Sequence, residues 1–69
     1  MIKDTEYALL KEGSIVEVRG NFGSGPLELA TVTCVENDIK NGLPGIDYTT
    51  QSGDDHWAYM HQVHRIVTL

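Results

Sequence analysis

Lys11-Glu-Gly-Ser-Ile-Val-Glu-Val-Arg19 (KEGSIVEVR) sets a glycine just ahead of a run in which Val16 and Val18 alternate with Glu17 and Arg19. Side chains leave a strand on opposite sides in turn, so this alternation is the period of a strand with one wet face. A helix would need its apolar residues three and four apart, which this run does not offer. The stretch predicts a strand over 14–19, led in by a turn at Gly13. Its partners must come from the rest of the chain, and glycine marks where they begin and end.

Seven glycines and two prolines divide the 69 residues into short pieces, the spacing of an all-β chain. Between them lie runs rich in β-branched residues, which predict further strands at 27–36, 45–51, 56–60 and 65–68. In the longest, Leu27-Glu-Leu-Ala-Thr-Val-Thr-Cys-Val35, two faces compete: Leu27, Leu29, Thr31 and Thr33 against Glu28, Ala30, Val32 and Cys34. A bulge or twist that switches the inward set resolves the conflict. Residues 37–44 read as a polar loop, with Asn41-Gly42 the strongest tight-turn dipeptide in the chain. Only Asp4-Thr-Glu-Tyr-Ala-Leu-Leu-Lys11 has helical composition, too short to stand without packing, so residues 1–12 read as an arm or a single helical turn. The expected core is Val16, Val18, Leu29, Ala30, Val32, Ile46, Tyr48, Val63 and Ile66.

Length and charge exclude more than they select. Sixty-nine residues make one domain, spanning 1–69, with a thin core. Cys34 is the only cysteine, so no internal disulfide forms, and one thiol in a β-rich run reads as a small buried hydrophobe in a reducing cytoplasm. No apolar run approaches a membrane span. Ten acids against five lysines and arginines give a formal charge of −5, which disfavours a nucleic-acid binder, since that affinity comes from basic contacts to phosphate. A protein partner fits the balance better.

The turn Lys11-Glu-Gly-Ser-Ile-Val-Glu-Val18 resembles the K-x-G-x-x-V-x-V lead-in of SH3-like barrels. The end of the chain is similar too: His56-Trp-Ala-Tyr-Met60 as a strand, His61-Gln-Val-His64 as a 3₁₀ turn, and Arg65-Ile-Val-Thr68 as a short closing strand. Ala30-Thr-Val32 and Ile46-Asp-Tyr48 look like the A-x-V and V-x-Y strands of Tudor-like members. The resemblance, which covers about 11–68, implies a five-stranded SH3-like barrel of Tudor or KOW architecture with a short N-terminal arm and a 3₁₀ turn before the last strand. It brings no ligand with it, because neither an ALYDY-like segment nor a paired tryptophan is present. The small, acidic, glycine-punctuated chain also resembles bacterial and phage-encoded products.

The residues that bear chemistry gather in Gly53-Asp-Asp-His-Trp-Ala-Tyr-Met-His-Gln-Val-His64, which holds all three histidines and the only tryptophan. His61 and His64 project together if they share a 3₁₀ turn, which makes them weak candidates for metal ligands; His56 would have to fold back to join them. The geometry favours no metal and no other cofactor. Cys34 is a poor nucleophile in a buried strand. Asn21-Phe-Gly-Ser-Gly-Pro26 lacks the lysine and the following helix of a phosphate loop. No enzymatic activity is expected.

Aromatic contact is the better reading. Phe22 sits at the tip of a glycine-rich loop, and Trp57 and Tyr59 share one strand face at a spacing of two. A thin core would draw Trp57 inward; if Ala58 and Met60 face the core instead, Trp57 and Tyr59 face out together. The function these residues imply is a non-catalytic, regulatory protein–protein interaction module with Phe22, Trp57 and Tyr59 as its contact residues. Assembly with further copies through an open strand edge is a second mode of the same reading. The alternative is a nucleic-acid-associated KOW- or Tudor-like barrel, and a metal-binding role through the histidines comes third.

Overall fold

The computed structural model describes residues 4–69, without the side chains of Asp4, Thr5 and Phe22. One helical turn, α1 (Asp4–Tyr7), is followed by β1 (Ile15–Arg19), a 3₁₀ turn (Asn21–Gly23), β2 (Leu27–Lys40), β3 (Leu43–Thr50), β4 (Asp55–Tyr59), a second 3₁₀ turn (Met60–Gln62) and β5 (Val63–Thr68). The strands form one antiparallel sheet in the order β4-β3-β2-β1-β5.

That order forces curvature. β4 and β5 lie on opposite edges of the sheet, yet only three residues, Met60–Gln62, join them. Across a flat sheet of five strands the edges would stand roughly 19 Å apart, at about 4.8 Å per strand. Three residues of 3₁₀ helix advance only about 6 Å. The sheet therefore curls, while no β4–β5 ladder closes it among the described residues. Gln62 fastens the corner. Its buried side chain accepts a hydrogen bond from the Tyr59 amide at 2.9 Å and donates one to the Arg19 carbonyl at 3.1 Å.

The curl encloses Leu10, Val16, Val18, Ala30, Val32, Ile46, Tyr48, Ala58, Met60 and Val63, with Tyr7, Val35 and Ile66 packed against them. Alternation in β1 behaves as its sequence predicts: Val16 and Val18 are buried, and Glu17 and Arg19 are partly exposed. The lead-in turn is fixed by hydrogen bonds to β2. Gly13 donates to the Val32 carbonyl and Val32 donates back to the Ser14 carbonyl, both at 2.8 Å. Gly13 adopts φ +95°, a conformation that suits glycine. The fully buried Ser14 hydroxyl is satisfied by the Lys11 amide.

β2 resolves its competing faces by a bulge. Val32 pairs with Tyr48 and Cys34 with the next residue, Asp47, so Thr33 is the extra residue on β2. Ala30 and Val32 point inward before it. After it the phase has shifted, so Cys34 faces out and Val35 takes the inward position. Cys34 is thus an exposed thiol, contrary to the buried position its strand predicted.

Three further expectations are corrected. Leu29 is exposed, because it is one residue out of phase with Ala30 and stands opposite Glu17 on the outer face. Residues 37–44 are no loop: the hairpin continues to Lys40 and resumes at Leu43, turning through Asn41-Gly42 alone. Both turn residues have positive φ, 57° and 75°, the two-residue geometry that follows strand twist. Asp38 accepts the Gly42 amide at 2.9 Å across it. The second 3₁₀ turn begins one residue earlier than expected and ends before His64, which belongs to β5.

Candidate functional site

Residues directly opposite one another in an antiparallel pair share a face, so the register assigns the outer surface of β2, β3 and β4. One row across it is Cys34, Asp47, Trp57; the next is Glu36, Gly45, Tyr59. Asp55 stands two residues before Trp57 on the same face and accepts a hydrogen bond from Thr49 at 2.8 Å. Ala58 and Met60 take the core positions of this stretch. Trp57 is therefore on the outer face and only partly buried, so of the two placements open to it the outward one, shared with Tyr59, is taken.

The aromatic side chains form a row. Trp57 meets Tyr59 edge-on, with ring centroids 5.2 Å apart and planes at 86°. Tyr59 in turn stacks on His61 at 5.4 Å and 14°. The tip of the β2–β3 hairpin leans onto this row. Lys40 holds its ammonium 5.5 Å from the Trp57 ring centroid, within cation–π range, and Asn41 donates to the Tyr59 hydroxyl at 3.3 Å. Gly45 makes room beneath, since a Cβ there would collide with the Ala58 carbonyl and with Cγ2 of Ile39.

Beside the row runs an open groove of about 540 Å³, lined by Thr33, Asp47, Tyr48, Asp55, His56 and Trp57. Burial pushes the Tyr48 phenol upward, and the charge of Glu28 adds to this. A neighbouring hollow of about 350 Å³ is lined by Asn21, Tyr48, His56, Trp57 and Gln62. Asn21 opens the first 3₁₀ turn with φ 52°, so this hollow brings that loop beside Trp57. Phe22 lies in the same turn; its side chain is outside the described residues.

Acidic groups flank the row. The ligand atoms of Cys34, Glu36 and Asp47 all lie within 4.8 Å of one another. Glu36 has its carboxyl raised above the usual range, first by a side-chain hydrogen bond with Asp47 and then by repulsion from the same residue. Among the described residues no histidine joins a group of three such side chains close enough to hold one ion. His61 lies in the 3₁₀ turn on Tyr59, His64 is on β5, and His56 tilts against Tyr48 at 5.9 Å. The shared turn on which a His61–His64 pair depended is thus not formed. Nor does the register pair Cys34 with a histidine: its cross-strand partner is Asp47.

The aromatic spacing of β4 was visible in the sequence. The approach of Lys40, Asn41, Cys34, Glu36 and Asp47 was not, because it depends on the Thr33 bulge and the hairpin extension. Among the described residues no helix is long and apolar enough to cross a membrane. No protein-family model, no curated protein and no solved structure matches the chain.

Proposed function

We propose that the chain is a non-catalytic protein-interaction module built on an SH3-like barrel, and that the outer face of β4 is its contact surface. The strand order and the 3₁₀ turn before the last strand support the barrel reading, since a meander whose first strand also pairs with its last is the arrangement of such barrels. The observation that carries the function is the row Trp57–Tyr59–His61, held in place by ring contacts on a partly exposed surface beside a groove. Tryptophan and tyrosine supply large contact area at little cost in conformational entropy, which is why they dominate binding hot spots. Phe22 is the third contact residue of this reading, carried on the loop that Asn21 brings to Trp57.

Affinity capture with the full chain, compared with Trp57→Ala and Tyr59→Ala variants whose folding is verified by circular dichroism, tests it. A partner retained by the native chain and lost from both variants is the expected result. Retention that is indifferent to both substitutions overturns the assignment of the surface. A gel shift with DNA or RNA that weakens steeply with salt would instead favour a nucleic-acid role.

A further inference from the structure

Trp57 already holds a cation. Lys40 reaches its ring from the hairpin tip, at 5.5 Å, and is the one lysine or arginine in β2, β3 and β4. The same three strands carry Glu36, Asp38, Asp47 and Asp55, so the ring lies in a setting of net negative charge. Asp47 is the direct cross-strand neighbour of Trp57, and Glu36 is that of Gly45 in the next row. The ligand atoms of Glu36 and Asp47 lie within 4.8 Å of each other, where both carboxylates can meet one positive charge. The whole chain adds a field of the same sign, with a formal charge of −5.

We infer that the occupant of this face is a basic peptide segment, whose lysine or arginine displaces Lys40 from the Trp57 ring and pairs with Asp47 and Glu36. This rests on the interaction-module reading and names the chemistry of the partner. Lys40 then serves as an internal competitor. It covers the ring while no partner is bound, and its side chain rotates away when a stronger cation arrives.

Trp57 is the only tryptophan, so its fluorescence reports on this site directly. The test titrates nona-lysine and nona-arginine peptides, with nona-glutamate as the control, into the full chain at low salt. Amide chemical shifts are followed in parallel. The basic peptides are expected to give a saturable fluorescence change with shifts centred on Trp57, Tyr59, Asp47 and Glu36, and nona-glutamate none. Lys40→Gln is expected to tighten binding about two- to fivefold, the range of an exposed cation–π contact. Lys11→Gln changes the net charge equally but lies in the lead-in to β1, outside the three strands of this face, and is expected to do less. Asp47→Asn weakens binding.

Equal effects of Lys40→Gln and Lys11→Gln, shifts spread over the whole surface, no saturable response to basic peptides, or preference for nona-glutamate would each overturn the inference. If capture of a partner requires Trp57 and Tyr59 but the basic peptides do not bind, this inference fails alone and the interaction reading stands. If capture is also indifferent to Trp57 and Tyr59, both fall.

Discussion

Thr33 divides β2 into two stretches of unlike character. In the stretch before it, Ala30 and Val32 are buried, and the strand is clamped on both flanks by β1 and β3. In the stretch after it, Val35 turns inward while Cys34 and Glu36 look outward beside Asp47, and the strand runs on into a hairpin that β1 no longer covers. One strand thus contributes both to the core and to the candidate site. What separates the two is a single unpaired residue, because a shift of one residue moves every following side chain to the other face.

The sharpest way to break this difference is to delete Thr33. Without the bulge, either Cys34 and Glu36 turn toward the core and Val35 turns to solvent, or the hairpin register slips. The expected loss is at least about 4 kcal/mol, most of the stability available to a domain of this size, so the deletion variant should show no cooperative urea transition. Circular dichroism against urea decides it.

A second, smaller effect contrasts the two faces just past the bulge. Ile46, fully buried opposite Val35, should cost about 2–5 kcal/mol on substitution by alanine, whereas Cys34→Ala should change stability by less than about 0.5 kcal/mol. Comparable losses in the two urea midpoints would show that the phase shift had been misplaced.

The smallest effect is electrostatic and concerns the outer stretch alone. With its carboxyl raised by the hydrogen bond with Asp47 and by Asp47's charge, Glu36 holds a proton in the folded chain over a pH interval where the unfolded chain has released it. The stability this contributes is fully present below the ordinary glutamate range and is lost as pH rises through the raised value. Glu36→Gln removes that loss. The variant should gain on the native chain at neutral pH, and the gain should vanish in acid below the ordinary glutamate range. Urea midpoints at the two conditions measure it, and a gain that persisted in acid would refute the cause.

How much of this was legible beforehand follows from what each feature depends on. Val16, Val18, Ala30, Val32, Ile46, Tyr48 and Val63 could be placed in the core from local alternation, and Ile66 packs against it partly exposed. Leu29 could not be resolved, because hydrophobicity and phase pointed to opposite faces and phase won. The face of Trp57 was open for a related reason. Size argued for burial, but Ala58 and Met60 already filled the inward positions of β4, and Leu10 added an apolar side chain from the lead-in to β1. The extension of β2 to Lys40 was hidden by its asparagine and aspartate, residues that disfavour strands in isolation but are tolerated on a hairpin arm with little to bury. The site was legible only as far as Trp57 and Tyr59 on one strand. Its charged members come from other strands, and their convergence depends on register.

The pairing of β1 with β5 bears on how such a chain can fold at all. Glu17 and Arg65 meet across 48 residues of chain, at 3.1 Å, and Gln62 reaches back 43 residues to Arg19. The β2–β3 hairpin, turning on two residues, can zip within microseconds, but β1 finds its second neighbour only after most of the chain has been drawn into a loop. Val63 and Ile66 then act as a latch, completing the cover over Val18 and Val16 in the last step. Assembly is therefore expected to be slow for so small a domain and, as for small single domains in general, close to all-or-none.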